Sequence, residues 1–300
     1  MAPDPALGLS AGARPRALAS RVVPETPALL GRSIGSPNEG RLEHGAEVHP
    51  SETLRIVPSH AGSGRRFGLP ALVGMLERSS DLVARKYPGG VLSLGDLSQK
   101  HGGDITGHHS HESGRDADVG FYLLSKKRPY LGSHFSVVRP DGRVAGASHL
   151  RFDDARNWAL VAAWLDDPVA RPSHIFVARH IRARLLATAV GAGASEGLQN
   201  RAAAVLMEPR HVLPHDNHFH VRIACPEGQR GSCVEYAHRV RDEKKRTAKG
   251  RPVVAKARKR GGTSGAPARP LVGVVPAEDD FTLDDGDPRG PSILDTLLAP

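Results

Sequence analysis

The spacing of apolar residues predicts a long amphipathic helix in the first third of the chain. Over residues 69–87, apolar side chains recur at helical intervals, at Leu69, Leu72, Val73, Leu76, Leu82 and Val83. Pro70 near the start and the glycine pair at 89–90 after the end agree with helix boundaries. A strand is predicted immediately afterwards, over residues 91–97.

A second helix is predicted near the middle of the chain. Asp153 or Asp154 can cap it, Pro168 ends it, and we interpret its apolar face as core packing. That face carries Trp158, Val161, Ala162 and Leu165. A short strand over 175–178 and helices over 181–190 and 197–207 follow. Because helices and strands mix without a regular βαβ alternation, the pattern predicts an α+β fold, with a largely antiparallel sheet and flanking helices.

An alternating segment near residue 220 has the highest local density of histidines. Residues 219–224 alternate apolar and polar side chains, which predicts a half-buried strand. In such a strand His218, His220 and Arg222 share one face, and the residues between them point into the core. Two neutral imidazoles on a rigid element suit Zn²⁺, but a catalytic zinc site needs a third protein ligand.

A polar cluster upstream offers the remaining ligands. Residues 107–115 form a turn rich in Gly and His that leads into a strand predicted over 116–124. Asp116 and Asp118 share one face of that strand, and His111 precedes Asp118 by seven positions. The helical HExxH arrangement is absent, because no histidine stands four residues after His111. The pattern therefore predicts a metal site built from strands and a loop.

Less specific interpretations of these clusters stay open. A chain with 16 histidines contains some close pairs by chance, so either cluster could consist of polar surface residues. A site of this composition could also bind zinc without turnover, as in a binding module.

Together the two clusters resemble the penicillin-insensitive murein endopeptidases. This metallopeptidase family is grouped with lysostaphin-type enzymes, D-alanyl-D-alanine peptidases and the hedgehog domain. Its pattern is a histidine, six residues, an aspartate and a distant His-x-His, matched by His111, Asp118 and His218-Phe219-His220. Segments 33–36, 95–99, 152–160 and 215–222 also look similar to that family. The chain departs from the pattern at His109, where a small residue is expected, and in its long C-terminal tail.

Carried over to this chain, the resemblance implies a zinc site and a substrate. His111, Asp118 and His220 are expected to bind Zn²⁺, and the fold is expected to be like that of the hedgehog and D-Ala-D-Ala-peptidase proteins. The implied reaction is hydrolysis of peptidoglycan cross-links at the D-alanyl to meso-diaminopimelyl bond. The alternatives are a D,D-carboxypeptidase or dipeptidase of the same fold, or a non-catalytic wall-binding module that contains zinc.

The resemblance also assigns roles to the histidines beside the metal. His215 is expected to be the general base for the attacking water, and His218 to orient groups or stabilise the developing oxyanion. The division of roles between these two histidines stays open. His108 and Asp116 are expected to contact the ligands and fix a tautomer.

Composition and charge divide the 300-residue chain into one domain with two tails. Residues 1–32 are rich in Ala, Pro and Arg and are expected to be disordered, and residues 33–238 are expected to form the zinc peptidase domain. Residues 239–260 hold eleven Lys or Arg against two acidic residues, a formal +9 that equals the excess of the whole chain. The segment 239–300, basic and then acidic, is predicted to be disordered. It suits an anionic wall polymer better than nucleic acid, and a solvated linker is the alternative.

Cys225 and Cys233 follow the His-x-His strand with seven residues between them. We expect a disulfide; the alternative is two free buried thiols, and zinc binding is less attractive because no further cysteine accompanies them. A bridge agrees with the periplasm, the compartment that the resemblance implies. No secretory signal and no apolar run of about 18 residues are visible in the sequence.

Overall fold

The computed structural model describes residues 31–108, 110–209 and 213–235. Its helices are α1 (Pro70–Lys86), α2 (Asp154–Leu165), α3 (Arg179–Gly191) and α4 (Glu196–Val205). Its strands are β1 (Arg32–Ser36), β2 (Glu39–Glu43), β3 (Ala46–Glu47), β4 (Leu54–Ile56), β5 (Phe67–Gly68), β6 (Leu92–Leu94), β7 (Asp116–Gly120), β8 (Leu123–Ser125), β9 (Arg128–Tyr130), β10 (Arg143–Val144), β11 (Ala147–Phe152), β12 (Pro172–Phe176), β13 (Leu206–Met207) and β14 (His218–Ile223). The mixture confirms the predicted α+β class.

A six-stranded sheet organises the domain, with strand order β13-β12-β14-β7-β6-β4. The outer pairs β12–β13 and β4–β6 are parallel, and the three inner pairings are antiparallel. A second sheet, in the order β10-β11-β8-β9, is antiparallel throughout, and β1–β2 and β3–β5 form two-stranded ribbons. The sheets are therefore largely antiparallel, as predicted.

Helices α1 and α2 pack on the apolar side of the central sheet. Phe219 of β14 is fully buried, and its ring meets Trp164 of α2 at a centroid distance of 5.5 Å and Phe121 at 4.8 Å. The Trp164 indole donates a hydrogen bond to Ser79 of α1 at 3.0 Å, so its polar edge is satisfied inside the core. This packing leaves the opposite side of β7 and β14 for polar side chains.

The strand predicted over 116–124 is in fact two strands in different sheets. β7 pairs with β14 in the central sheet, whereas β8 pairs with β11 in the second sheet. Between them, the Tyr122 backbone N–H donates to the Asn157 side chain at 3.0 Å, and the Asn157 amide donates back to the Tyr122 carbonyl at 2.9 Å. The side chain of α2 thus replaces a strand partner at the break.

The predicted helices agree with the structure, except that the last one ends earlier than predicted. The helix predicted over 197–207 ends at Val205, because residues 206–207 form β13 and pair with β12. Asp153 caps α2 by accepting from the Arg156 N–H at 3.1 Å, as predicted. The predicted face of α2 packs on the core, with Trp158 and Val161 buried and Ala162 and Leu165 partly buried against it, and Trp164, which the prediction left out, is inaccessible.

The two ends of the described domain are tied together. The predicted disulfide between Cys225 and Cys233 is present, and its loop forms hydrogen bonds to β1 through Gly35, whose N–H donates to the Ser232 carbonyl at 2.8 Å. The predicted tails fall mainly on residues 1–30 and 236–300, which lie outside the described residues. In the described ranges, no helix is long and apolar enough to cross a membrane.

Candidate metal centre

The register of β7 against β14 brings the two polar clusters together. His220 lies directly opposite Asp118, and Arg222 lies opposite Asp116. Residues opposite each other in an antiparallel pair share a face, so these four side chains project from the side of the sheet that lies away from α1 and α2. The alternation predicted from the sequence is therefore what assembles the centre.

The carboxylate of Asp118 is the point on which the histidines converge. Its Oδ1 lies 3.3 Å from His111 Nε2, 3.4 Å from His218 Nε2 and 3.4 Å from His220 Nδ1. Burial favours the neutral acid, but the imidazoles of His111 and His218 outweigh it and hold the pKa of Asp118 well below its usual range. The centre thus keeps a buried anion.

His111 is held in an unusual backbone conformation. Its φ is +74°, in the left-handed region, which costs a residue with a Cβ about 1 to 3 kcal/mol. Ser98 anchors this turn, because its hydroxyl donates to the His111 carbonyl and accepts from the Gly114 N–H at 3.0 Å. Burial lowers the pKa of the imidazole, but the Asp118 carboxylate outweighs burial and raises it. The fold therefore accepts local strain to aim His111 at Asp118.

Asp116 and Arg222 orient His220 from behind. The Asp116 Oδ1 accepts from His220 Nε2 at 2.8 Å and from Arg222 Nε at 2.6 Å, and Arg222 also lies over the Phe176 ring. Burial disfavours the charge on Asp116, but Arg222 and His220 keep the pKa of this carboxyl well below normal. Because an ionised carboxylate only accepts, the proton of His220 sits on Nε2 and the Nδ1 lone pair faces Asp118. This is the contact predicted for Asp116.

His215 and His218 flank the carboxylate on the open side. Asn217 Oδ1 accepts from His218 Nδ1 at 2.6 Å, and this bond holds the ring with its Nε2 toward Asp118. The His215 ring lies 4.9 Å from that of His218 and 5.6 Å from that of His220, centroid to centroid. Burial, reinforced by His218 and His220, lowers the pKa of His215 to about 3. His215 is therefore neutral at pH 7, but a pKa this far below neutral makes it a weak base in the protein alone, whereas a general base is expected to keep a pKa near neutral.

His108 approaches the centre from the other side, together with a residue that the sequence interpretation missed. His108 Nδ1 lies 3.7 Å from Asp118 Oδ2, and its Nε2 lies 3.1 Å from Asp96 Oδ2. Burial raises the pKa of Asp96, but hydrogen bonds from His108, Ser63 and Arg65 lower it to about 2. Asp96 comes shortly after β6, in the 95–99 segment that looks similar to the family. That similarity was the feature of the sequence that could have identified Asp96.

The donors present fit a divalent metal. Both ring nitrogens of His111 and the Asp118 Oδ1 are buried and meet no hydrogen-bonding partner in the described chain, although buried polar groups normally have one. Imidazole and carboxylate are ligands that zinc prefers. One donor atom each from His108, His111 and Asp118 lie within 4.8 Å of one another. His220 offers its Nδ1 to the same carboxylate, so two overlapping ligand sets share His111 and Asp118.

Comparison with known proteins gives a consistent family. The family model for penicillin-insensitive murein endopeptidases matches residues 33–250, which include the whole candidate centre. The penicillin-insensitive murein endopeptidase of Pectobacterium atrosepticum is 30% identical over 203 residues, covering 65% of this chain and 65% of that relative, just under two thirds of its length. Those of Salmonella heidelberg (31% over 204 residues, 65% of this chain and 67% of the relative) and Klebsiella pneumoniae (29% over 201 residues, 66% and 68%) are similar.

Proposed function

Because the chain belongs to the penicillin-insensitive murein endopeptidase family, we propose that it is a zinc-dependent endopeptidase of peptidoglycan that hydrolyses D-alanyl to meso-diaminopimelyl cross-links. The convergence of three imidazole nitrogens on one oxygen of the buried Asp118 supports this most directly. Relatives named as murein endopeptidases support the substrate class.

The proposed zinc ligands are His111, Asp118 and His220. His220 is preferred to His108 because its Nε2 proton is engaged by Asp116, which leaves Nδ1 free to act as a ligand, whereas His108 faces the other Asp118 oxygen at 3.7 Å. His108 then joins Asp118 to Asp96 from outside. When bound, zinc supplies a Lewis acid that polarises a peptide carbonyl and makes water nucleophilic at neutral pH.

The proton transfers in this proposal fall to the two remaining histidines. His215 takes the proton of the attacking water, because its ring lies 4.9 Å from that of His218 and its buried Nδ1 meets no partner in the described chain. It then returns the proton to the leaving amine. His218, held by Asn217 and by a stacked Phe135 ring, orients the reacting groups and stabilises the developing oxyanion.

We further propose that residues 33–238 fold as the catalytic domain and act in the periplasm. The Cys225–Cys233 disulfide supports an oxidising compartment. A chain that ends after residue 238 is expected to fold and load zinc like the full chain. If the basic tail holds an anionic wall polymer, the full chain binds intact sacculi more tightly than the truncated form at low salt, and the difference disappears at high salt. Equal binding across the salt series leaves the tail as a linker.

Digestion of purified cross-linked muropeptide dimers tests the proposal. Serine enzymes that β-lactams acylate typically carry a Ser-x-x-Lys motif, which this sequence lacks. Cleavage into monomers is therefore expected to survive penicillin, to stop with phenanthroline and to return on addition of zinc. Mass analysis also separates the alternatives. Release of D-alanine alone indicates a carboxypeptidase, and no cleavage by the zinc-loaded protein indicates a binding module.

A further inference from the structure

A solvent-open pocket borders the candidate metal centre on the β4 side of the central sheet. It is shallow and opens directly to solvent. Its walls come from β4, β6, β7 and β8, the 130–136 segment and the residue before His218, and they include Arg55, Ser93, Gly120, Tyr130, Phe135 and Asn217. Because Asn217 also binds the His218 ring, the pocket and the centre share a wall.

Strand pairing places Arg55 in one row with the centre. Arg55 of β4 lies beside Ser93 of β6, the Leu94–Val119 pairing puts Ser93 next to Gly120 of β7, and Gly120 lies opposite His218 of β14. Residues paired in this way share a face, which is the face of Asp118 and His220. Three strand spacings separate the Arg55 and His218 backbones by roughly 14 Å, about four residues of extended peptide.

The Arg55 guanidinium has hydrogen-bonding capacity to spare. Its Nε donates to Ser93 Oγ at 2.9 Å, and its Nη2 donates to the Gly132 carbonyl. A guanidinium has five N–H donors, so these bonds orient it without exhausting it. Within the described ranges, no carboxylate forms an ion pair with Arg55, whereas Arg65 is paired with Asp96. Burial also lowers the pKa of Arg55, as expected of a cation partly removed from water.

Phe135 connects the pocket to the catalytic histidines. Its ring stacks on His218 at 5.0 Å with an interplanar angle of 18°. The ring lies against Gly95 and Gly120, where a Cβ would come within 2.7 Å and 2.9 Å of it. The two glycines therefore let the ring lie flat on the sheet. A peptide that crosses His218 in an extended form would pass along Phe135 toward Arg55.

We propose that this pocket is a substrate subsite in which Arg55 binds a free carboxylate of the cross-linked peptide, a few residues from the cleaved bond. The inference rests on the proposed function and deepens it, since cross-links made through diaminopimelate carry free carboxylates. A partly buried guanidinium with donors to spare recognises a carboxylate through charge-assisted, often bidentate hydrogen bonds. Arg55 is then a specificity-determining residue, and an amidated peptide is a poorer ligand than the free acid.

The test compares two substrates and three variants. Muropeptide dimers are prepared with the diaminopimelate carboxylates either free or amidated, and kcat and KM are measured for each. The wild type is expected to favour the free acid about 10- to 100-fold in kcat/KM, mainly through KM. R55Q should lose this preference and R55K should keep part of it. R128Q, which removes an equal charge from an exposed position on β9, should behave as wild type.

A binding measurement keeps the inference separate from the proposed function. Calorimetry with the zinc-loaded protein compares the free and amidated forms of the cleaved tetrapeptide monomer, and thermal unfolding checks that R55Q is folded. Weaker binding of the free acid by R55Q, with no change for the amide, supports the subsite even if no dimer is cleaved. If folded R55Q binds and cleaves both forms as the wild type does, the subsite is overturned, whatever the fate of the peptidase assignment.

Discussion

The two faces of β7 and β14 carry opposite kinds of side chain. One face buries Ala117, Val119, Phe219 and Val221 under α1 and α2. The other carries Asp116, Asp118, His218, His220 and Arg222. The same eleven residues of backbone support both, since β7 contributes five residues and β14 six. Stability and chemistry are therefore interleaved residue by residue along the strands.

This interleaving gives the two faces different tolerances. An apolar face tolerates exchanges that conserve volume, because dispersion and burial are not directional. The polar face depends on donors aimed at one carboxylate, so the loss of a single contact weakens the metal site directly. Substitutions on alternate residues should therefore separate loss of folding from loss of metal.

The largest expected effect is on the polar face, at His220. His220→Ala removes an imidazole whose Nδ1 lies 3.4 Å from Asp118 Oδ1. Zinc content is expected to fall from one ion per chain to near zero, and cleavage of muropeptide dimers to background, while the circular dichroism spectrum is unchanged. Metal analysis and product mass spectra measure both quantities.

Two controls accompany that variant. His149→Ala, at an exposed position on β11, should retain zinc and activity. His108→Ala decides between the two ligand sets, and it should retain zinc with weakened affinity. If His220→Ala keeps its full zinc content and His108→Ala loses zinc, the third ligand is His108 and not His220.

The next largest effect is expected on the apolar face, at Phe219. Phe219→Ala leaves a cavity between Trp164 and Phe121 and should lower the free energy of unfolding by about 3 to 5 kcal/mol. Phe219→Leu, a smaller change, should cost less. Urea denaturation of the zinc-free protein gives these values. Zinc stoichiometry of the folded fraction should stay at wild-type level, and a loss of zinc without a loss of stability would contradict the separation of the faces.

Asp116 is expected to show both kinds of effect, because it joins His220 to the buried Arg222. Asp116→Asn should weaken zinc affinity about 10- to 100-fold, since the carboxylate no longer fixes the His220 tautomer. It also leaves Arg222 without its buried partner and should lower stability. The double variant Asp116→Asn, Arg222→Met should recover stability but not zinc affinity. Recovery of both would mean that Asp116 acts only through the ion pair.

The smallest expected effect lies in the helical layer behind the apolar face. Asp167 accepts from the Arg78 guanidinium at 2.8 Å and from the backbone N–H groups of Val169 and Ala170. Burial opposes the charge, but these donors lower the pKa of Asp167 below its model-compound value of 3.8. A carboxyl with a depressed folded pKa contributes stability above the unfolded pKa and loses it as the pH falls through the folded pKa.

Asp167→Asn should therefore destabilise the protein by about 1 to 2 kcal/mol at pH 7. The difference from wild type should begin to shrink as the pH falls below about 4 and should vanish below the folded pKa, where the aspartate is protonated in both the folded and unfolded states. Thermal unfolding at several pH values measures this. A difference that does not change between pH 7 and pH 3 would show that the charge on Asp167 has no role.

The sequence predicted the elements in which one periodicity extends without interruption. The heptad-like spacing of Leu69, Leu72 and Leu76 identifies α1, and the alternation around His220 identifies β14 and both of its faces. The break after β7 was missed, because Phe121, Tyr122 and Leu123 continue an apolar run while the chain passes from one sheet to another. β13 was missed because Leu206 and Met207 also suit the preceding helix, and only pairing with β12 makes them a strand.

The candidate site was predictable where its residues cluster and not where distant segments meet. His111, Asp118 and the His-x-His pair lie in two dense motifs, and the structure brings the three histidines to the Asp118 carboxylate. Asp96 and Phe135 are isolated in the sequence, so neither could be linked to His108 or His218 without the fold. The choice of His220 over His108 as a ligand came from the family resemblance, and the Asp116 contact adds a physical reason for it, the tautomer of His220.

The hydrogen bonds between β1 and the Cys225–Cys233 loop have a consequence for how this domain can be joined to other proteins. Gln229 donates to the Gly31 carbonyl at 2.7 Å and accepts from the Ser33 N–H at 3.0 Å, so the first and last described segments meet at one corner. A domain whose entry and exit points coincide can be spliced into a surface loop of a host protein without separating the ends of that loop. It can equally be circularly permuted by joining residues 31 and 235 with a short linker and opening an exposed turn such as the one at 126–127.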